Sequence, residues 1–362
     1  MRLLVVGNGS IGVLRNEMFY INNHTGKFLQ ELDKKIDMEF VQHATQYAKD
    51  HDLQNFDLVK HNLKFSLLPN KRSMLFIPKL IWLVCRQDVL YLFYPGGLSK
   101  AVALIAITIG KSFGLYIRGQ YYKEGAVDKY VLRKARFVLT VSPSIAEDLR
   151  DYCESVDVIK PMISISAFDI NDNREYVIKN RWNMLFVGRV EYRKGIYELL
   201  EIAKYLRLCG LDFVLDIVGG GDAVLAAKKI IKETGLEHHV KIHGLISNKE
   251  ELKSFYDNAD IFVFTSHDEG FPRVLYEAMA SGMPIFTTFV GGISGRMVDA
   301  ENCFEIPVKN AEAATKVILD NLCSPSNLRV VGVAGQETLR NIVSGKLMSH
   351  DQLLLKALRS EI

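Results

Sequence analysis

The sequence predicts an α/β protein made of two doubly wound, parallel-sheet domains. Three observations predict it. The chain has 362 residues, more than one hydrophobic core ordinarily serves, so two domains are expected. Short apolar runs that read as strands alternate with stretches of helical spacing, the pattern of a parallel sheet covered by helices. Two of these runs, residues 2–6 and 183–187, pass straight into glycine-bearing turns.

In chain order, residues 2–6 (Arg-Leu-Leu-Val-Val) are the first strand, and Gly7-Asn8-Gly9-Ser10-Ile11-Gly12 follows. That turn matches G-x-G-x-x-G, whose glycines let a backbone approach phosphate. The fingerprint also wants an acid at the end of the second strand, to hold a ribose. The second strand is expected at 38–42, where Gln42 and His43 occupy the end. The turn is therefore read as lining a cleft, and an NAD-dependent oxidoreductase stands as the alternative. Residues 22–34 form a helix with Phe28, Leu29 and Leu32 as its apolar face. Residues 88–94 are a strand closed by Pro95-Gly96-Gly97, and 99–110, apolar nearly all round, is a helix packed on the sheet. Residues 115–119 and 136–142 are further strands. Ser144, with Glu147 three residues on, is expected to cap a helix over 145–152.

Residues 164–180 are polar and irregular and read as an interdomain linker, so the first domain covers 1–168. The second domain, 181–340, opens with the strand at 183–187. Gly188 frees the strand end, and Arg189 and Lys194 stand five apart around the turn. One planar fork and one point charge converging there would suit a diphosphate. Ile196, Leu199, Leu200, Ala203 and Leu206 form a helical stripe and are core, and Ser247 with Glu250 reads as a capping box. The apolar run Ile261-Phe262-Val263-Phe264 is a buried strand. The loop after it holds Glu269 and Gly270, and Pro272 suits the first turn of a helix that carries Glu277 two turns in. Amides at a helix start hold anions such as phosphate, which would repel a nearby carboxylate. Glu269 and Glu277 are therefore read as acceptors from hydroxyls. Phosphate beside hydroxyl-binding carboxylates points to a nucleotide sugar.

Glu269 followed by Gly-Phe-Pro, with seven residues before Glu277, resembles the family-4 retaining glycosyltransferases of GT-B fold (glycosyl transferases group 1). Leu185-Phe186-Val187-Gly188-Arg189 through Lys194-Gly195 is similar to the same family's phosphate loop. Leu215 to Gly221 and Val240 to Gly244 follow in the family's order. The resemblance covers roughly residues 181–325. It implies two Rossmann-like domains facing a central cleft, with residues 341–362 as the helix that crosses back to the first domain. It implies transfer of a sugar from a UDP- or GDP-sugar to a hydroxyl of a glycan or lipid-linked acceptor, in polysaccharide or glycolipid biosynthesis, with retained configuration and without metal or cofactor. On this pattern Arg189 and Lys194 would neutralise the leaving diphosphate, Glu277 would bind the ribose and Glu269 the sugar hydroxyls. Gly188 and the amides of Gly270, Phe271, Val274 and Leu275 would face the donor, and Gly9 would approach it from the first domain. Where many relatives carry a histidine facing the sugar, this chain has Arg118, read as a contact for phosphate or acceptor or as a structural ion-pair partner. Ser294 and Gly295 stand where the family's Gly-Gly-x-Pro-Glu turn has Pro and Glu. A non-catalytic sugar-nucleotide-binding protein is the further alternative.

Composition narrows the class. Hydrophobic residues make up 48% and charged ones 24%, as in an ordinary globular protein. The five cysteines have no metal or redox spacing and read as reduced thiols of a cytoplasmic protein. Asp50-His51-Asp52 reads as solvated surface, so no metal site is expected, and no basic helix or stacking motif points to nucleic acid. The charge is uneven: residues 1–168 hold 22 Lys and Arg against 16 Asp and Glu, a net of +6. No acid occurs from Leu58 to Gln87, while Lys60, Lys64, Lys71, Arg72, Lys79 and Arg86 are basic and Trp82 lies in the apolar stretch between them. Two readings fit: an anionic membrane surface as partner, on the membrane's inner face, or a buried helix with solvated ends.

Overall fold

The computed structural model describes residues 1–14, 18–46, 56–69, 74, 76–119, 125–161, 163, 165–166, 169–344 and 347–360. Asp50-His51-Asp52, Lys71 and Arg72 lie outside the described residues. The chain divides into two compact units, Met1–Met162 with Met348–Ile362, and Ile163–Leu347.

The first unit is built on strands β1 (Arg2–Val6), β2 (Ile11–Leu14), β3 (Met18–Ile21), β4 (Asp37–Gln46), β5 (Phe56–Asp57), β6 (Phe65–Leu68), β7 (Val89–Tyr94), β8 (Phe113–Ile117), β9 (Phe137–Thr140) and β10 (Val156–Val158). Their order is β10-β9-β8-β7-β1-β4-β2-β3-β5, with β6 paired to β4. Pairing is parallel except where β3 meets β2 and β5. Helices α1 (Asn23–Asp33), α2 (Phe76–Cys85), α3 (Gly97–Thr108), α4 (Ala126–Lys134) and α5 (Pro143–Arg150) lie between these strands in the chain. Strands β7 and β8 are buried end to end, which is why they read as unbroken apolar runs rather than alternating ones.

The dinucleotide reading fails here. After residues 7–10 the chain enters strand β2, which hairpins with β3, and the first helix among the described residues waits until Asn23. No helix N-terminus follows the turn directly to hold a pyrophosphate, so the fingerprint lacks its mechanism. The cap expected at Ser144 also moves. Ser142 is the N-cap and Pro143 takes the first helical position, where its missing N–H leaves no bond unmade.

The second unit carries β11 (Trp182–Val187), β12 (Phe213–Val218), β13 (Val240–Gly244), β14 (Ile261–Phe264), β15 (Ile285–Thr287) and β16 (Phe304–Glu305). The order β13-β12-β11-β14-β15-β16 is wholly parallel, the doubly wound arrangement of a Rossmann sheet. Its helices are α6 (Ile196–Leu208), α7 (Val224–Glu233), α8 (Lys249–Asn258), α9 (Arg273–Ala280), α10 (Ala311–Leu322) and α11 (Pro325–Val343). Ile196, Leu199, Leu200, Ala203 and Leu206 are buried in its core, as their spacing requires. Asn248 rather than Ser247 caps α8, its side chain accepting from the Glu250 and Glu251 amides.

The stretch read as a linker is, from Ile163 onward, part of this second unit. Arg174 explains why: its guanidinium donates to the carbonyls of Ser281, Ala259 and Tyr256 at 2.5, 2.7 and 2.9 Å. Tyr176 donates to Gly282 O at 2.7 Å, and the Asn171 amide to Ala280 O at 2.8 Å. A polar segment that satisfies buried carbonyls looks, in sequence, like one that faces solvent. The chain ends in α12 (His350–Arg359), which belongs to the first unit and packs against α1 and β9.

Candidate active site

In the second unit the strand order reverses between β11 and β14, and crevices at such switch points take ligands. The two loops that leave these strands are the ones the sequence singled out. Residues 188–195 follow β11 and residues 265–272 follow β14.

Gly195 brings the loops together. Its φ is 68°, and a Cβ there would stand 1.9 Å from the Thr265 carbonyl oxygen, so no larger residue fits this approach. Thr265 Oγ1 donates to Gly195 O at 2.8 Å and the His267 amide to Arg193 O at 3.0 Å. His267 Nε2 lies 3.1 Å from Glu198 Oε1 at the start of α6, without a hydrogen bond between them.

The charged groups pair across the seam. Lys194 Nζ donates to Glu269 Oε1, which also accepts from Ser266 Oγ at 2.9 Å. Both members are largely buried, with side-chain exposures of 17% and 10%. Arg193, itself exposed, pairs across the same seam with Asp268. Arg189, by contrast, is exposed and held 2.8 Å from Glu191, on its own loop. The fold thus unites Lys194 with Glu269 directly and leaves Arg189 at the rim.

Behind Glu269 stands the turn that diverges from the family pattern. Gly291 has φ 60°, and a Cβ on it would meet the Glu269 carbonyl oxygen at 1.8 Å; the Gly292 amide donates to that oxygen at 3.2 Å. Even with Ser294 and Gly295 in place of Pro and Glu, this turn fixes the backbone of Glu269.

Helix α9 begins after Pro272, its N-cap, and opens on the same crevice. Gly270 and Phe271 precede it, and Val274 and Leu275 lie in its first turn. The Leu275 amide donates to Pro272 O at 3.2 Å within that first turn. The Phe271 ring rests on Tyr276 at 4.6 Å, with the buried Arg296 guanidinium 5.6 Å above it. Glu277 accepts from Tyr256 O–H at 2.7 Å through Oε2. Burial pushes the Glu277 carboxyl above the ordinary carboxylate range, against the opposing pull of Tyr256 and Arg273.

Sequence reasoning misses Tyr256, Ser266 and Arg296. Tyr256 looks like one more apolar position of α8, and only the packing of α8 beside α9 shows that its hydroxyl orients a carboxylate 21 residues away. In the first unit, Gly9 lies in the turn after β1 and Arg118 at the carboxyl end of β8. Arg118 sits over the rings of Tyr116 and Phe93, at 5.0 and 5.5 Å. These are cation–π seats, and among the described residues no ion pair of Arg118 accompanies them.

Comparison with known proteins bears on this geometry. Residues 169–337 match the profile of the family described as Glycosyl transferases group 1. An uncharacterized glycosyltransferase of Methanocaldococcus jannaschii is 34% identical over 170 residues, 43% of each chain. A capsular polysaccharide biosynthesis glycosyltransferase of Staphylococcus aureus is 27% identical over 195 residues, 51% of this chain and 50% of that protein. The chain spans about half the length of these curated relatives. Among solved structures, Anabaena HepE in complex with UDP superposes with a TM-score of 0.71 at 15% identity, covering 99% of this chain and all of that one. A glycosyltransferase from Rickettsia africae gives 0.70 at 17% identity, covering 99% of each chain. These likenesses establish the GT-B fold. Over residues 169–337, the chain is similar to the glycosyl transferases of group 1.

Proposed function

We propose that the chain transfers a sugar, with retention of configuration, from a UDP- or GDP-sugar to a hydroxyl of a glycan or lipid-linked acceptor in cytoplasmic polysaccharide or glycolipid assembly. The observation that carries this reading is the Lys194–Glu269 pair at the switch point, with Glu277 two turns along the adjoining helix. The names of the relatives agree with it: one serves capsular polysaccharide biosynthesis, and the HepE structure holds UDP.

The reading assigns roles as follows. Lys194 and Arg189 neutralise the diphosphate as negative charge develops on it, without a metal, while the Gly270, Phe271 and Val274 amides face the donor. Gly188 keeps the strand mouth open. Glu269, fixed by Ser266 and the Gly291–Gly292 turn, accepts from sugar hydroxyls. Donor binding would loosen the Lys194–Glu269 pair, since the ammonium gains phosphate as a partner. Glu277 accepts from the ribose hydroxyls, with one oxygen already held by Tyr256. Arg118, seated on its two rings, presents a cation to a phosphate or an acidic acceptor.

The test is to incubate purified protein with a panel of UDP- and GDP-sugars and follow product by proton NMR, whose anomeric coupling reports configuration. A product of retained configuration is expected. Inverted product would reject the retaining assignment, and donor binding without any hydrolysis or transfer would favour the non-catalytic alternative. Within the same assay, Tyr256→Phe should weaken donor affinity about three- to tenfold, because Glu277 loses the hydrogen bond that aims it. Unchanged affinity would mean that the ribose is held elsewhere.

A further inference from the structure

Helix α2 is apolar on two sides. Phe76, Leu80, Leu83 and Val84 are buried in the first unit's core. Around the rest of its surface Ile77, Pro78, Ile81, Trp82 and Cys85 are exposed, Trp82 to 56% and Ile77 to 51%. A helix hydrophobic all round is ordinarily buried all round. Among the described residues nothing covers the outer side, and the helix, at 10 residues, is far too short to span a bilayer.

Charge decides what would cover it. No Asp or Glu lies between Leu58 and Gln87. Lys64 is neutralised by Asp37 at 2.6 Å, so it is set aside. Lys79, on α2 itself, donates to the Leu67 carbonyl at 2.7 Å, a contact that leaves its charge uncompensated. Arg86 lies over the Trp82 ring at 4.5 Å, placing a cation and an amphipathic indole together. A second copy of the chain, docked face to face about a two-fold axis, would bring these cations against themselves. An anionic lipid headgroup layer meets both features at once, taking the cations at its phosphates and the apolar side chains below them.

We propose that the outer face of α2 docks the first unit onto anionic membrane, with Trp82, Ile81 and Ile77 entering the interface and Lys79 and Arg86 at the headgroups. Docking is reversible, since two described cations and three apolar side chains form a peripheral anchor.

The chain supplies its own probe. Of its two tryptophans, Trp82 is exposed and Trp182 is 4% exposed in the core of the second unit. Vesicles of phosphatidylglycerol with phosphatidylcholine, carrying brominated acyl chains, should blue-shift and quench the Trp82 emission and leave that of Trp182 unchanged. Pure phosphatidylcholine should do so weakly, and added salt should reverse the effect. Lys79→Glu with Arg86→Glu should lower partitioning roughly tenfold or more, at about 1 kcal/mol per cation. Trp82→Ala should abolish the quenching while its thermal midpoint stays that of wild type. No partitioning onto the anionic vesicles, or equal partitioning of wild type and both variants, would overturn the proposal. So would a dimer in sedimentation velocity that Trp82→Glu disperses, because the face would then join two copies. No donor enters the assay, so its outcome stands apart from that of the transfer experiment.

Discussion

Replacing Lys194 with alanine is expected to lower turnover by about 10²–10³-fold while donor affinity falls far less. Removal of one preorganised group aimed at developing charge costs on this order. On the proposed reading Lys194 takes that role, because Gly195 presses its loop onto Thr265 and burial keeps water from screening it. Arg189, exposed at the rim beside Glu191, should cost closer to tenfold when removed. Lys194→Ala also strips a largely buried carboxylate of its counter-charge, so Lys194→Ala/Glu269→Gln serves as control. The double variant should recover stability, which shows whether the unpaired Glu269 carboxylate destabilises Lys194→Ala; its turnover does not bear on the assignment, since Glu269 is itself assigned to the sugar. Turnover of Lys194→Ala within threefold of wild type would contradict the assignment.

The second large effect concerns His350. Its ring lies buried on α12, stacked on Phe28 at 4.1 Å, 4.3 Å from the Tyr116 ring and within 2.6 Å of the Tyr91 hydroxyl. Burial, reinforced by Arg118, pulls its pKa from 6.5 to about 3. A histidine held neutral in the fold and free to protonate when unfolded contributes stability that is full above pH 6.5. That stability is lost as pH falls from 6.5 toward about 3, where the unfolded chain binds one proton more. Each pH unit in that window removes about 1.4 kcal/mol, so between pH 7 and 5 wild type should lose roughly 2 kcal/mol more than His350→Phe. Denaturant titrations of both proteins at the two pH values measure the difference. Parallel losses would show that His350 titrates normally and that α12 does not bury it.

What was legible in the sequence follows burial. Strands such as β14, covered on both faces, are apolar throughout, so Ile261–Phe264 stood out as a strand, and the glycine turns at its neighbours marked the loops. Lys194, Glu269 and Glu277 were visible because each stands at a fixed offset from such a strand. The β2–β3 hairpin was not, since Gly7–Gly12 satisfies a phosphate-turn pattern by glycine spacing alone and only the missing helix exposes the coincidence. Tyr256, Ser266 and Arg296 were hidden for another reason. Their partners are set by which helices and loops meet, and no local periodicity encodes that. Arg174 shows the converse: its three carbonyl acceptors make a core strap of residues whose polarity alone suggested a linker.

The measurement that bears most directly on the proposed site is a calorimetric titration of wild type and Glu277→Ala with UDP- and GDP-sugars, at pH 7.5 and at pH 5. Wild type should bind one of the two nucleotide classes, and Glu277→Ala should bind it roughly tenfold or more weakly, since a charge-assisted acceptor contributes about 1.5–3 kcal/mol. Because burial raises the Glu277 pKa, wild-type affinity should already decline at pH 5, and the variant's should not decline with it. Equal affinities for wild type and a folded Glu277→Ala, or no binding of either class, would contradict the claim that this site takes a nucleoside diphosphate sugar.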